Sequence, residues 1–201
     1  MEAACALIKP NAVIYATKPG AILSEYMQKN ACTRIDFTEN ETFTLRNAIP
    51  SAEGAIHALM SRAPVCLTGQ PCLIVGYGRI GRALAQRLCG LGAWVTVAAR
   101  SETARALAEG DGHEAIPLAG MAAGAFTFLL NTVPAQVVGE KALAALAKGA
   151  LAIDLASPPY GIDLNAAENL GIAAWREPGL PGRYAPETAA SAMLCVIEDG
   201  A

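Results

Sequence analysis

From Leu67 onward the apolar positions fall into short β-branched runs separated by stretches of helical period. The pattern predicts strands over 72–76, 93–99, 115–118, 126–131, 151–156 and 172–175. Helices are predicted to open at Arg79, to follow Ser101, to lie around 140–147, and to run from Asp163 to Leu170. Strands that alternate with helices build βαβ units, so an α/β fold around a parallel sheet is expected. Helix punctuation agrees with this. Ile80, Leu84, Leu88 and Leu91 stand at i, i+4, i+8 and i+11, one apolar face, and Gly92 is placed to close that helix in a left-handed turn. Ser101 and Asp163 are expected N-caps, while Gly110, Gly149 and Gly171 mark expected helix ends. A last helix over 186–198 opens with Pro186 and the acidic Glu187, as the positive end of a helix prefers.

The first 66 residues are organised differently, with strands over 12–16 and 33–37 and helices over 21–29 and 50–62. Two strands bury too little surface to offset chain entropy and leave open edges. Residues 1–66 are therefore expected to form a small, incomplete α/β subdomain on the substrate side. Residues 67–185 would form the complete domain, and 186–201 a helix packing back towards the N-terminal part. Open strand edges also predict a homodimer. A hydrophobic fraction of 53% with 16% charged residues excludes a disordered chain. The net charge of -3, without any basic stripe, argues against a nucleic-acid partner. No run approaches the ~20 apolar residues of a membrane helix. Glu2 stands where a secretory signal carries a base, so a cytoplasmic protein is expected. The six cysteines show neither CxxC nor Cys/His spacing, which suggests no metal site and free thiols in or near the core.

The chemistry concentrates in Gly76-Tyr77-Gly78-Arg79-Ile80-Gly81, a GxGxxG that follows an apolar strand and opens an amphipathic helix. That context makes it a dinucleotide fingerprint in a Rossmann-type, doubly wound parallel sheet. Gly76 is expected to make the tight turn, Gly78 to admit the pyrophosphate, and Gly81 to let helix and strand approach, with unpaired helix amides facing the phosphates. About 20 residues on, where NAD enzymes place a ribose-binding acid, the chain has Ala99 and Arg100 followed by Ser101. A guanidinium in place of a carboxylate favours NADP, with NAD the alternative. Ligands in such sheets lie at the carboxyl ends of the strands, which adds Asn131, Thr132, Val133, Pro134 and Ala156 to the candidate cofactor contacts.

Taken with Asn47-Ala48-Ile49-Pro50-Ser51-Ala52-Glu53-Gly54 upstream and Ala98-Ala99-Arg100-Ser101, Asn131-Thr132-Val133-Pro134, Ile153-Asp154-Leu155-Ala156-Ser157 and Pro178-Gly179-Leu180-Pro181-Gly182 downstream, the chain resembles the A subunit of dipicolinate synthase from about Asn11 onward. The resemblance implies an NADP-dependent oxidation of a hydroxy-tetrahydrodipicolinate, a small dicarboxylate, to dipicolinate. It also implies partnership with a flavoprotein B subunit, in the mother cell of a spore former. Members of that family carry a further upstream portion, so the chain reads as an N-terminally shortened member. Glu187 also stands where the family pattern suggests a base. The Gly-Arg-Ile-Gly run is shared with D-2-hydroxyacid dehydrogenases, the alternative reading. Those enzymes use a late histidine, whereas His57 and His113 both precede the fourth strand of the cofactor domain. A non-catalytic cofactor-binding protein is the third reading.

A dicarboxylate substrate needs cations for its carboxylates and a group to take a proton. Arg183, in a glycine-flanked loop after the last strand, is the first choice for a carboxylate clamp. Glu53 and His57, four apart on one helix face, are the candidate bases. His113, between glycine and glutamate, reads as a loop residue.

Overall fold

The computed structural model describes Cys5 and residues 7–199; the acidic start that argues against export lies outside them. The chain packs as two units, one formed by residues up to Asn47 together with those from Glu187, the other by Ala48–Pro186. The sequence pattern set its boundary at 66/67, so 48–66 go with the larger unit.

In the smaller unit β1 (Val13–Tyr15) and β2 (Thr33–Ile35) pair in parallel, joined through α1 (Ala21–Lys29). The second strand ends sooner than the 33–37 run suggests. Asp36 accepts a hydrogen bond from the Thr38 amide at 2.9 Å and turns the chain into a 3-10 turn, Phe37–Glu39. A small core brings Phe37 and Phe43 together with Ala192 and Val196 of the C-terminal helix Pro186–Asp199. The Phe37 ring lies 5.6 Å from Tyr15 and 5.5 Å from Phe43.

Helix α2 runs over Glu41–Met60 and crosses the unit boundary with Pro50 inside it. The expected helix start at Pro50 is thus corrected. The Asn40 side chain accepts from the Phe43 amide at 2.8 Å, a cap ten residues earlier. Pro50 removes one mid-helix donor from a helix already under way.

The larger unit continues with β3 (Pro71–Val75), α3 (Arg79–Gly90), β4 (Trp94–Ala98), α4 (Glu102–Gly110), β5 (Glu114–Ile116) and β6 (Phe128–Asn131). It then runs through α5 (Glu140–Ala144), β7 (Leu151–Asp154), α6 (Leu164–Asn169), β8 (Ala173–Arg176) and α7 (Leu180–Tyr184). All six strands pair in parallel, in the order β5-β4-β3-β6-β7-β8. The strand order reverses between β3 and β6, the switch point of a doubly wound sheet. Alternate residues feed two cores. Cys72, Ile74, Phe128, Leu130, Leu151 and Ile153 pack on one side with α2 and α3. Leu73, Val75, Leu129 and Ala152 pack on the other side with Leu143 and Ala167.

Local punctuation explains the helix lengths. Ser101 accepts from the Ala104 amide at 3.2 Å, and Asp163 from Ala166 at 3.0 Å. Gly92, at φ +79°, lets its amide donate to the Cys89 carbonyl and the Ala93 amide to the Leu88 carbonyl, the pair of hydrogen bonds that closes α3. At the end of α4 this part falls to Gly112, at φ +88°, whereas Gly110 is the last helical residue. Leu91 lies beyond α3 and is exposed, so the apolar face ends at Leu88. Cys72 is fully buried, and burial pushes its thiol up to about 12. Cys66 and Cys89 are exposed, against the expectation of thiols in or near the core. Among the described residues no helix is long and apolar enough to cross a membrane.

Candidate cofactor-binding site

The glycine loop sits where the strand order reverses, between the end of β3 and the start of α3. Each glycine of the fingerprint has its own constraint. Gly76 has φ +95°, and a Cβ there would meet the Thr132 hydroxyl at 2.6 Å and Val133 at 2.8 Å. A Cβ on Gly81 would run into the Gly76 carbonyl, so helix and loop can be this close only without a side chain. Gly78 is the contrast. It has ordinary φ of -84°, and a Cβ there would meet nothing within 4 Å. The protein's own packing does not require this glycine, and the open space beside it lies at the N-terminal end of α3. The first turn of α3 also lacks any acid and begins with the exposed Arg79. A positive helix end without an acid suits an anion, so the residues present fit a dinucleotide pyrophosphate.

Of the intervening side chains, Tyr77 and Ile80 turn inward. Tyr77 is buried, its hydroxyl donating to Asp111 Oδ2 at 2.8 Å, and Arg82 Nε pairs with the same carboxylate at 2.8 Å. The Tyr77 hydroxyl and the Arg82 guanidinium hold the Asp111 carboxyl below its usual range, while burial raises the Tyr77 phenol. Ile80 packs against the core on the α2 side. His113 lies in the loop before β5, as expected, but is buried there, with its Nδ1 3.5 Å from Cys89 Sγ.

At the end of β4, Arg100 is exposed and Ser101 caps α4. A second guanidinium, absent from the sequence reading, joins them. Arg105 Nη1 donates to the carbonyls of Ala99 and Arg100, each at 3.0 Å. Neither arginine has a carboxylate partner among the described residues. The signal was its position one helical turn after the Ser101 cap, which returns a long side chain to the strand end.

Beyond β6 and β7 the predicted residues are arranged around a carboxylate that sequence reading assigned no role. Asp154 is buried and ends β7 in register with Asn131 of β6. Its Oδ1 accepts from Asn131 Nδ2 at 2.8 Å and the Ala156 amide at 3.1 Å. Its Oδ2 accepts from the amides of Gly161 and Ile162 at 2.8 and 2.9 Å. Asn131 spends its remaining capacity on Val133, donating to the carbonyl at 3.0 Å and accepting from the amide at 3.1 Å. The Thr132 hydroxyl donates to the Val75 carbonyl at 3.0 Å. Asn131, Thr132, Val133 and Ala156 therefore shape the carboxyl edge through the backbone, and Pro134 lies exposed on the same loop.

The three expected catalytic residues do not converge on the glycine loop. Glu53 Oε1 accepts from Arg87 Nε at 3.1 Å. Arg87 lies nine residues into α3 beyond Gly78, roughly 14 Å along the axis at ~1.5 Å per residue. The i,i+4 spacing does place His57 on the face of Glu53, but that face borders an apolar groove of about 680 Å³ along the second half of α3. The His57 ring packs against Tyr184, with centroids 4.8 Å apart and the planes tilted by 55°. Arg183 is already neutralised. Its Nη1 donates at 2.7 Å to Glu177, a buried carboxylate that also accepts from Trp175 Nε1 at 3.0 Å. A carboxylate just after β8 was the missed competitor for that cation.

Residues 52–158 match the family described as D-isomer specific 2-hydroxyacid dehydrogenase, NAD binding domain. Among curated proteins, the chain is 29% identical over 187 residues to the A subunit of dipicolinate synthase of Bacillus subtilis (strain 168). That alignment takes in 92% of this chain and 63% of the relative, so the chain spans less than two thirds of that protein's length. Among solved structures, it is similar to the A subunit of dipicolinate synthase from Bacillus halodurans, with TM-score 0.90, 31% identity, and coverage of 99% of this chain and 69% of that one. The A chain of dipicolinate synthase from Bacillus subtilis gives TM-score 0.88 and 27% identity, covering 99% of this chain and 67% of that one.

Proposed function

Because the chain belongs to the dipicolinate synthase A-subunit family and carries a nicotinamide-dinucleotide domain of dehydrogenase type, we propose that it is an NADP-dependent oxidoreductase converting a hydroxy-tetrahydrodipicolinate to dipicolinate. The observation that carries the cofactor choice is the pair Arg100 and Arg105 at the end of β4, two cations without a carboxylate where an NAD enzyme would offer an acid. When bound, NADP supplies the hydride acceptor. The chain's own part is to hold and orient. The amides at the start of α3 take the pyrophosphate beside Gly78, and the two guanidinium groups take the 2′-phosphate. The loops tied to Asp154 fix the floor under the nicotinamide and substrate. Water and a proton leave the substrate as the ring becomes aromatic, a step driven by the product's own stability.

The same reading brings a flavoprotein partner, the B subunit, and a cytoplasmic setting in the mother cell of a spore former, while the open strand edges favour a homodimer. One observation favours a second reading, a cofactor-holding protein without catalysis: Glu53, His57 and Arg183 are each engaged elsewhere. NADPH absorbance separates the two readings when NADP and the hydroxy-tetrahydrodipicolinate are supplied with and without a B subunit. Reduction under either condition is the expected result. Intact NADP binding with no reduction in either case would overturn the oxidoreductase assignment.

A further inference from the structure

We propose that Arg176 is the residue that anchors a carboxylate of the substrate, in a small polar cavity at the carboxyl edge of the sheet; the inference rests on the dicarboxylate substrate proposed above. Arg176 ends β8, in register with Asp154 of β7. Its guanidinium lies over the Tyr160 ring, 3.9 Å from the centroid. Three other arginines of this unit are spent on carboxylates within the protein: Arg82 on Asp111, Arg87 on Glu53 and Arg183 on Glu177. Arg176 differs. Among the described residues no carboxylate lies within ion-pair distance of it and no acceptor takes its N–H groups. Stacking on an aromatic face restrains a guanidinium while leaving its donors free. The charge is held in place but not neutralised.

The surroundings match one anionic group. The cavity beside Arg176 and Tyr160 measures about 170 Å³ and is lined also by Gln136, Asn165 and Asp163. At ~30 Å³ per water it has room for about five or six waters, the size of one carboxylate with its solvent and far below a dinucleotide. Gln136 follows β6, Tyr160 follows β7 and Arg176 ends β8, so the cavity opens beyond the carboxyl ends of three neighbouring strands, the side on which ligands bind in such sheets. The platform is fixed, since Tyr160 precedes Gly161, whose amide is held by buried Asp154. Gln136 and Asn165 contribute amide donors. Asp163 is the one acid in the lining, and its Oδ1 is occupied in accepting from the Ala166 amide at 3.0 Å. A carboxylate can take two parallel bonds from Arg176, the geometry that a guanidinium fork provides.

The test compares dipicolinate with pyridine-2-carboxylate, which lacks one carboxylate, by calorimetric titration of the NADP-saturated protein. In Arg176→Gln, dipicolinate affinity should fall about 10- to 100-fold, the range of a charged hydrogen-bonded pair. Its advantage over pyridine-2-carboxylate should vanish, Arg176→Lys should recover part of it, and NADP affinity should stay unchanged. A general loss of folding would lower NADP binding as well and would not select for carboxylate number. If the unaltered protein binds dipicolinate and Arg176→Gln binds it equally well, the anchor assignment falls while the substrate class stands. If the unaltered protein binds no dipicolinate, the substrate reading itself falls.

Discussion

Replacing Asp154 by asparagine changes one atom of a buried side chain and unbalances four hydrogen bonds. The carboxylate accepts two donors at each oxygen: Asn131 Nδ2 and the Ala156 amide at one, the Gly161 and Ile162 amides at the other. An amide offers one accepting end and one donating end. Whichever way it turns, its NH2 faces two N–H donors and two bonds are lost. Flipping Asn131 to compensate would break both of its bonds to Val133. Hydrogen bonds to a charged acceptor are worth about 1.5–3 kcal/mol each, so the loss is about 3–6 kcal/mol. Against a domain stability of about 5–15 kcal/mol this leaves a marginal protein. In urea, with a slope of about 2 kcal/mol per molar, the midpoint should fall by roughly 1.5–3 M. Asp163→Asn is the internal control. Asparagine caps a helix about as well as aspartate, so the change there should stay within about 0.5 kcal/mol. A loss under about 1 kcal/mol for Asp154→Asn would refute the view that this carboxylate holds the two loops together.

The glycine loop predicts a dissociation between folding and binding. Gly81→Ala should destabilise by about 3 kcal/mol because its Cβ meets the Gly76 backbone. Gly78→Ala, at the N-cap of α3, should cost no more than about 1 kcal/mol yet weaken cofactor binding severely, and retained affinity would show that no phosphate sits beside Gly78. Arg105→Ala should weaken NADP binding by about tenfold or more and NAD binding hardly at all, read by fluorescence titration of both cofactors. The Asp111 carboxyl, lowered first by the Tyr77 hydroxyl and then by Arg82, contributes stability above the ordinary aspartate value of about 4. That contribution should disappear as the pH falls through the lower folded value, and Tyr77→Phe should flatten this part of the acid profile.

The pattern of apolar runs made the six-stranded sheet and the roles of Gly76 and Gly81 legible, because each follows from local geometry that a short stretch encodes. Residues that depend on partners distant in sequence were not legible. Asn131 reads as the end of a strand until its neighbour is known to be Asp154, 23 residues away. Arg183 reads as a free cation until Glu177 turns inward beneath it. Glu53 and His57 do share a helix face, yet spacing along one helix cannot say which element that face meets. The start of α2 was missed because Pro50 and Ser51 imitate a helix opening, while Asn40 lies ten residues earlier beside a polar stretch.

Helix α2 carries a consequence for dissecting this protein. Most domains are joined by exposed, extended segments that proteases find first. Here the first crossing, at Asn47 and Ala48, lies within a continuous helix, and the second, at Pro186 and Glu187, lies at the opening of another. Neither crossing offers the unfolded stretch that a protease active site needs. Limited digestion should therefore spare the boundary and begin at surface loops, so the two halves can be separated only by a genetic cut that severs a helix.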